Sequence, residues 1–113
     1  MEDARRFNIV DASGRTLCAA CGFPGAFVGA CYDEKGGVIG TGICPCCLWE
    51  PGFDDDANAG ASAQPAILDS LRRYRLGWGP AGPAWSGRHN AMPEGWNGKD
   101  QLERLYEAAP FLK

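Results

Sequence analysis

Two pairs of cysteines carry the clearest chemistry in this sequence. Cys18 and Cys21 stand three residues apart, and Cys44 and Cys47 repeat that spacing later in the chain. Two thiolates at this spacing can bind one cation from a single turn, and two such pairs supply the four ligands of a tetrahedral site. Because four thiolates leave no open coordination position, the pattern predicts one structural Zn²⁺ per chain and no catalytic residue at the metal.

Iron is the alternative metal for these four cysteines. A single iron of the rubredoxin kind also takes four thiolates in a tetrahedron, and the C-x-x-C-G and C-P-x-C forms at residues 18–22 and 44–47 suit it. We take zinc as the prediction and keep iron as the alternative, which the colour of the protein would reveal.

Two cysteines and the single histidine remain outside this set. Cys46 lies inside the second turn, where we expect its side chain to point away from the ion that Cys44 and Cys47 share. Cys31 falls on a predicted strand, and packing in the core is the simpler interpretation of it. With His89 they make only three further soft ligands, so a second zinc site is not predicted.

The composition explains why a metal would be needed. The chain has 113 residues, of which 16 are Gly and 8 are Pro, so much of it must form turns and loops. Small domains with few large aliphatic side chains are commonly stapled by a metal or by disulfides. No apolar run is long enough for a signal peptide or a membrane span, so we expect a cytoplasmic protein whose paired cysteines bind metal.

The predicted architecture is a small α+β fold in one domain over residues 1–113. Short apolar stretches bounded by turn signals predict three strands and two turns, the strands at 7–10, 26–32 and 38–43 and the turns at 11–14 and 33–37. The long hairpin over 26–43 would carry the chain from the first cysteine pair to the second. We therefore expect zinc-ribbon-like β-hairpins over residues 7–53, stapled by the four-cysteine metal site.

The remaining residues, 54–113, are predicted to form an acidic loop, a helix, a Trp/Gly/Pro-rich loop and a second helix. The helical spacing of apolar side chains predicts the first of these helices over 65–76, with an inward face of Ile67, Leu71 and Tyr74. Both C-terminal helices are expected to pack on the ribbon-like part.

The second helix is predicted over 99–108. Asn97 or Gly98 would cap its start, and Pro110 would force it to stop. Its inward face is predicted to contain Leu102, Leu105 and Tyr106.

Several motifs along residues 15–87 occur together in a known family. They are the C-x-x-C-G of 18–22, Ile43-Cys44-Pro45-Cys46-Cys47, Trp49-Glu50 and Phe53-Asp54-Asp55. In these motifs the chain resembles the bacterial cysteine-rich CPCC domain proteins, although Pro51-Gly52 is inserted before the acidic run and the first hairpin is long. The resemblance implies a zinc-ribbon-like fold with a bound metal, and it implies no reaction because the family has no established activity.

A non-enzymatic interaction module is the function class that these features favour, and a thiol redox enzyme is the first rival. Residues 44–47 have the C-P-x-C form of thiol oxidoreductases, in which the motif opens a helix that lowers the first thiol's pKa. Here Glu50, Pro51 and Gly52 follow at once, and a helix cannot continue through them. We assign no catalytic residue and no site for an organic cofactor.

A nucleic-acid-binding zinc ribbon is the second rival. The predicted first helix carries three basic residues that would suit phosphate, namely Arg72, Arg73 and Arg75. The acidic residues 54–56 precede that helix and would oppose phosphate nearby. The formal net charge of −3 also argues against a general nucleic-acid binder.

Three tryptophans, Trp78, Trp85 and Trp96, stand in one Gly/Pro-rich span. Tryptophan is enriched at interface hot spots, so this span is a candidate groove for a protein partner. The alternative is that the three rings close over the small zinc module and complete its core. Membrane association is not predicted, and the oligomeric state is left open.

Overall fold

A short antiparallel sheet positions the first cysteine pair. The parts of the chain that the computed structural model describes are residues 4–34, 39, 42–51, 54, 63–87 and 91–113. Strand β1 (Ile9–Val10) pairs with strand β2 (Thr16–Leu17), and Ile9 lies opposite Leu17. Both of these side chains are buried, so the sheet is anchored in the core directly before Cys18.

The turn that joins the two strands is the one predicted at residues 11–14. The Asp11 carboxylate accepts hydrogen bonds from the N–H groups of Ser13 and Arg15, each at 2.9 Å. Gly14 takes the positive φ of 83°, which a turn of this kind requires and glycine adopts without strain. The Arg15 N–H first, and the Ser13 N–H after it, lower the pKa of Asp11.

The first strand, predicted over residues 7–10, is confirmed only at residues 9 and 10. A 3-10 helix occupies Ala4–Phe7, so the strand begins at Ile9. Phe7 is buried from within this helix, and its ring packs edge-on against Tyr32 and Phe111. Its apolar character therefore marked a core residue and not a strand.

The strand predicted over 26–32 is wrong, because this segment forms bends and irregular backbone apart from an isolated β-bridge at Tyr32. At the end of this segment, the Asn8 side chain takes main-chain hydrogen bonds of Cys31 and Tyr32. Its Oδ1 accepts from the N–H groups of Cys31 and Tyr32 at 2.9 and 3.0 Å, and its Nδ2 donates to the Tyr32 carbonyl at 2.9 Å. Main-chain groups that a neighbouring strand would use are thus taken by one side chain.

The returning strand predicted over 38–43 is described at residues 39, 42 and 43, where the backbone is irregular. One hydrogen bond, from Ile39 N–H to the Cys31 carbonyl at 2.9 Å, joins this limb to the preceding one. The other residues of this limb, most of the predicted turn at 33–37 and most of the acidic loop lie outside the described residues.

Both predicted helices are confirmed, with starts slightly earlier than expected. Helix α1 spans Ala63–Leu76 and buries Ile67 and Leu71. Helix α2 spans Gly98–Ala108 and buries Leu105. Neither helix has the length and apolar character needed to cross a lipid bilayer.

The ends of α2 follow from its sequence. The Asn97 side chain accepts a hydrogen bond from the Asp100 N–H at 3.1 Å, which caps the first turn as predicted. At the other end, the Ala109 N–H still donates to the Leu105 carbonyl at 2.8 Å before Pro110 stops the helix. A 3-10 helix at Pro110–Leu112 then turns the chain back and buries Leu112.

The described residues form a compact α+β arrangement of two helices and a two-stranded sheet. Its Cα radius of gyration is 13.1 Å, as expected for a compact chain of this length. The span between the helices contains a 3-10 helix at Gly79–Ala81 and is otherwise irregular where it is described.

The Asn97 cap can be tested by substitution. Asn97→Ala should lower the free energy of unfolding by about 1 kcal/mol, because the Asp100 N–H loses its acceptor. Asn97→Ser is the matched control, since serine is an equally good capping residue and should lose only a fraction of this. Denaturant titration measures both, and equal losses would show that Asn97 does not act as a cap.

Candidate metal centre

The structure brings together the four cysteines that the sequence predicts as ligands. The Cys18 and Cys47 sulfurs are 3.8 Å apart, and the Cys21 and Cys44 sulfurs are 3.7 Å apart. All four sulfurs lie within 4.8 Å of one another, and all four residues are buried. Each close pair joins one cysteine of the first C-x-x-C to one of the second, so the cluster ties the two segments together.

These distances fit a metal centre better than they fit disulfides. A disulfide would bring two sulfurs to about 2.0 Å. In a tetrahedral site with metal–sulfur bonds of about 2.3 Å, neighbouring sulfurs are about 3.8 Å apart. The four cysteines are therefore arranged to hold a metal ion, and the spacing suits a four-thiolate ion of zinc size or iron size equally.

The acid–base behaviour of the thiols agrees with this arrangement. Contact with the Cys18 thiol is the largest influence, and it raises the pKa of Cys21 and of Cys47 while it lowers the pKa of Cys44. Four thiolates this close to one another would repel each other without a cation. A divalent ion would remove this conflict, because it pairs with all four charges at once.

The first C-x-x-C segment forms a tight turn, called here the first knuckle (residues 18–22). The Cys18 N–H donates to the Phe23 carbonyl at 3.1 Å, and the Gly22 N–H donates back to the Cys18 carbonyl at 2.8 Å. Gly22 has a φ of +86° and lies against α2, so that a Cβ there would stand 2.7 Å from the Gln101 carbonyl oxygen.

The second C-x-x-C segment, the second knuckle (residues 44–48), repeats this backbone pattern. The Cys44 N–H donates to the Trp49 carbonyl at 2.9 Å, and the Leu48 N–H donates to the Cys44 carbonyl at 3.0 Å. Leu48 stands where Gly22 stands in the first knuckle and has a φ of +67°. A left-handed backbone is costly for a leucine, and its side chain is 39% exposed.

Helix α1 reaches the second knuckle through Tyr74. Its hydroxyl donates to the Cys47 carbonyl at 2.6 Å, and its ring packs edge-on against Trp49 and Trp78 at centroid distances of 5.0 and 5.9 Å. Burial, and after it the nearby Cys47 and Asp54 charges, raises the pKa of Tyr74, so the hydroxyl remains a donor.

The next residue of α1, Arg75, reaches the first knuckle. Its Nε donates to the Ala20 carbonyl at 2.9 Å and its Nη2 to the Ala19 carbonyl, while its Nη1 donates to the Leu112 carbonyl at 2.6 Å. The guanidinium also lies over the Tyr106 ring, with its carbon 5.4 Å from the ring centroid. One side chain thus fixes the first knuckle, α1, α2 and the C-terminal turn.

Helix α2 links both knuckles through Gln101, which is 1% exposed. Its Nε2 donates to the Cys21 carbonyl at 3.1 Å and lies 3.7 Å from the Cys46 sulfur, and its Oε1 accepts from the Trp96 indole N–H at 2.9 Å. Sequence reasoning missed this residue because glutamine is usually exposed. Its position four residues before the buried Leu105 was the available signal.

The remaining cysteines lie outside the four-sulfur cluster. Cys46 is buried and directs its sulfur towards the Gln101 amide, while its carbonyl accepts from the Ser86 N–H at 2.8 Å. Cys31 is buried, as predicted, although the strand assigned to it is wrong. His89 lies outside the described residues.

The three tryptophans predicted as a possible groove pack against the core. Trp85 contacts Phe23 edge-on at 5.5 Å and Trp96 at 5.6 Å, while Trp78 contacts Tyr74. All three rings are only half-buried. The span between the helices therefore extends the small core, as the second interpretation of these residues expected.

The arginines of α1 do not share one face. Arg72 donates to the Lys113 carbonyl at 3.3 Å, and Arg73 forms an exposed ion pair with Asp69 at 3.1 Å. Arg75 points inward and is taken up by main-chain carbonyls. A single basic surface of three arginines is therefore not formed.

The C-P-x-C segment also lacks the setting of a redox motif. Residues 45–47 form a turn, and residues 48–50 that follow have no helical structure. The first cysteine of the motif, Cys44, consequently has no helix of its own segment to lower its pKa.

No match is found for this chain among protein-family models, curated proteins or solved structures. The resemblance to the CPCC proteins therefore stays a prediction.

The difference between the knuckles gives a matched pair of substitutions. Gly22→Ala should lower the free energy of unfolding by about 2 to 4 kcal/mol, because the new Cβ meets the Gln101 carbonyl oxygen at 2.7 Å and Leu105 Cβ at 2.9 Å in a left-handed conformation. Denaturant titration of the metal-loaded protein measures this loss.

Leu48→Gly is the control at the equivalent position of the second knuckle. It removes the left-handed strain, and the greater chain entropy of glycine in the unfolded state offsets part of that gain. We expect a change within about 1 kcal/mol. A loss as large as that of Gly22→Ala would contradict the equivalence of the two knuckles.

Proposed function

We propose that this chain is a structural zinc protein, in which one Zn²⁺ bound by Cys18, Cys21, Cys44 and Cys47 joins two knuckles into a zinc-ribbon-like scaffold. The observation that carries the proposal is the convergence of four buried sulfurs within 4.8 Å of one another. A two-stranded sheet leads into the first knuckle, and side chains of both helices hold the knuckles from outside. This arrangement supports a scaffold held by a metal.

Zinc is preferred to iron because closed four-cysteine sites in small proteins are the usual setting of structural zinc. Four thiolates would fill the coordination sphere, so no position would remain for a water molecule or a substrate. This supports a role without catalysis at the metal. Iron in the same centre would make the chain an electron carrier.

The role that fits such a scaffold is a non-enzymatic interaction module. The half-buried rings of Trp78, Trp85 and Trp96 are the proposed contact region for a protein partner, since each keeps part of its surface outside the core. The resemblance to CPCC proteins, which have no established activity, is consistent with this proposal. Two alternatives remain if the proposal fails. The experiments that follow would then favour thiol redox chemistry, and phosphate-binding assays would favour nucleic-acid binding.

Metal content is the direct test. Protein purified without chelator should contain one zinc per chain by elemental analysis. Complete removal of the metal should abolish the near-UV circular dichroism signal, because zinc binding contributes about 10 to 16 kcal/mol to folding in small zinc-finger peptides. An unchanged near-UV spectrum after complete metal removal would contradict the structural role of the metal. One iron per chain in place of zinc would indicate that the protein is an electron carrier.

Two serine variants separate the structural centre from a redox site. Cys18→Ser should abolish folding and metal binding, since it removes one of four ligands. Cys31→Ser, which removes a buried thiol outside the cluster, should retain one zinc per chain. If Cys18→Ser folds normally and the purified protein holds no metal, the thiol redox alternative becomes the better account.

A further inference from the structure

The half-buried Arg75 holds a positive charge against the first knuckle of the metal centre. Among the described residues its hydrogen-bond acceptors are three main-chain carbonyls, and none of the described carboxylates forms an ion pair with it. A charge withdrawn from water is costly unless an opposite charge compensates it. The neutral carbonyls satisfy its hydrogen bonds and leave its net charge without a described carboxylate partner.

The loaded metal centre would have an excess of negative charge. A divalent ion bound by four thiolates would give the centre a net charge of −2, and the four cysteines that would hold it are buried. Two of the hydrogen bonds of Arg75 go to the carbonyls of Ala20 and Ala19, the two residues between the ligands Cys18 and Cys21. The cation and the dianionic site are thus held together by the first knuckle itself.

We propose that Arg75 is the counter-charge of the loaded metal centre, and that its charge raises the affinity of the four thiolates for a divalent ion. This inference rests on the proposed metal binding and assigns a role to a residue that is not a ligand. The guanidinium donates hydrogen bonds to the Ala20 and Ala19 carbonyls, and its positive charge is thereby held beside the ligands Cys18 and Cys21, where it attracts the net negative charge that a loaded centre would carry.

Neighbouring residues of α1 supply the comparison. Arg73 lies two positions earlier on the same helix, has a side chain 63% exposed and pairs with Asp69. Its removal changes the net charge of the protein by the same amount as removal of Arg75, but the charge lost lies in solvent, where it is screened. Any effect specific to Arg75 therefore reports on position and not on total charge.

The test is the affinity of the full chain for Zn²⁺, measured by competition with a chromophoric chelator at fixed pH and salt. Arg75→Gln should weaken Zn²⁺ binding about 10- to 100-fold, the usual range for residues that support metal ligands. Arg73→Gln should stay within about twofold of wild type. Arg75→Lys, which keeps the charge and loses the fork, should recover most of the lost affinity.

A second readout depends on charge and not on packing. In the iron-loaded protein, reduction from Fe³⁺ to Fe²⁺ takes the centre from a net charge of −1 to −2, so a nearby cation favours the reduced state. Arg75→Gln should therefore lower the reduction potential relative to wild type, whereas Arg75→Lys and Arg73→Gln should change it little.

The outcomes separate this inference from the proposed function. Wild-type protein that binds no Zn²⁺ would overturn both. Tight wild-type binding with equal affinities for Arg75→Gln and Arg73→Gln would overturn the counter-charge alone. If Arg75→Lys binds Zn²⁺ as weakly as Arg75→Gln, the effect belongs to the paired N–H donors of the guanidinium and not to its charge, which contradicts the proposal. If Arg75→Gln does not fold, Arg75→Lys with less than a tenth of the wild-type affinity for Zn²⁺ contradicts the proposal.

Discussion

Four sulfur atoms that lie within 4.8 Å of one another in a buried site are the constraint on which the rest of this fold depends. As thiols they pack, but as thiolates they repel unless a cation compensates their charge. Two turns that are far apart in the sequence must also arrive at the same point with the same shape. The two knuckles meet this requirement with one backbone pattern, although glycine closes the first and a strained leucine, Leu48, closes the second.

Polar side chains from the helices solve the next problem, which is the burial of main-chain groups around the cluster. Knuckle carbonyls that point away from the sulfurs need donors once water is excluded. Tyr74 and Gln101 each provide one donor to a knuckle carbonyl, and Arg75 provides donors to two. Because α1 and α2 are attached to the knuckles through these contacts, the helices and the metal centre depend on one another, and loss of the ion is expected to loosen both.

The sequence predicts those parts of the structure that follow from local spacing. The two C-x-x-C pairs indicated the four clustered cysteines, apolar periodicity indicated both helices, and Asn97 was expected to be a cap. The strand over 26–32 is not formed, and at its last two residues Asn8, distant in sequence, takes main-chain hydrogen bonds. Gln101 and Arg75 were missed or misread for a related reason, since a polar residue is assigned to the surface until its buried partner is known.

X-ray absorption at the metal edge tests the central claim most directly, on protein purified without chelator. The position of the edge identifies the metal, and the fine structure counts its ligands. Our account predicts a zinc edge with four sulfur neighbours at about 2.3 Å and no nitrogen or oxygen ligand. Fewer than four sulfurs, a nitrogen or oxygen in the first shell, or no metal in the folded protein would contradict it.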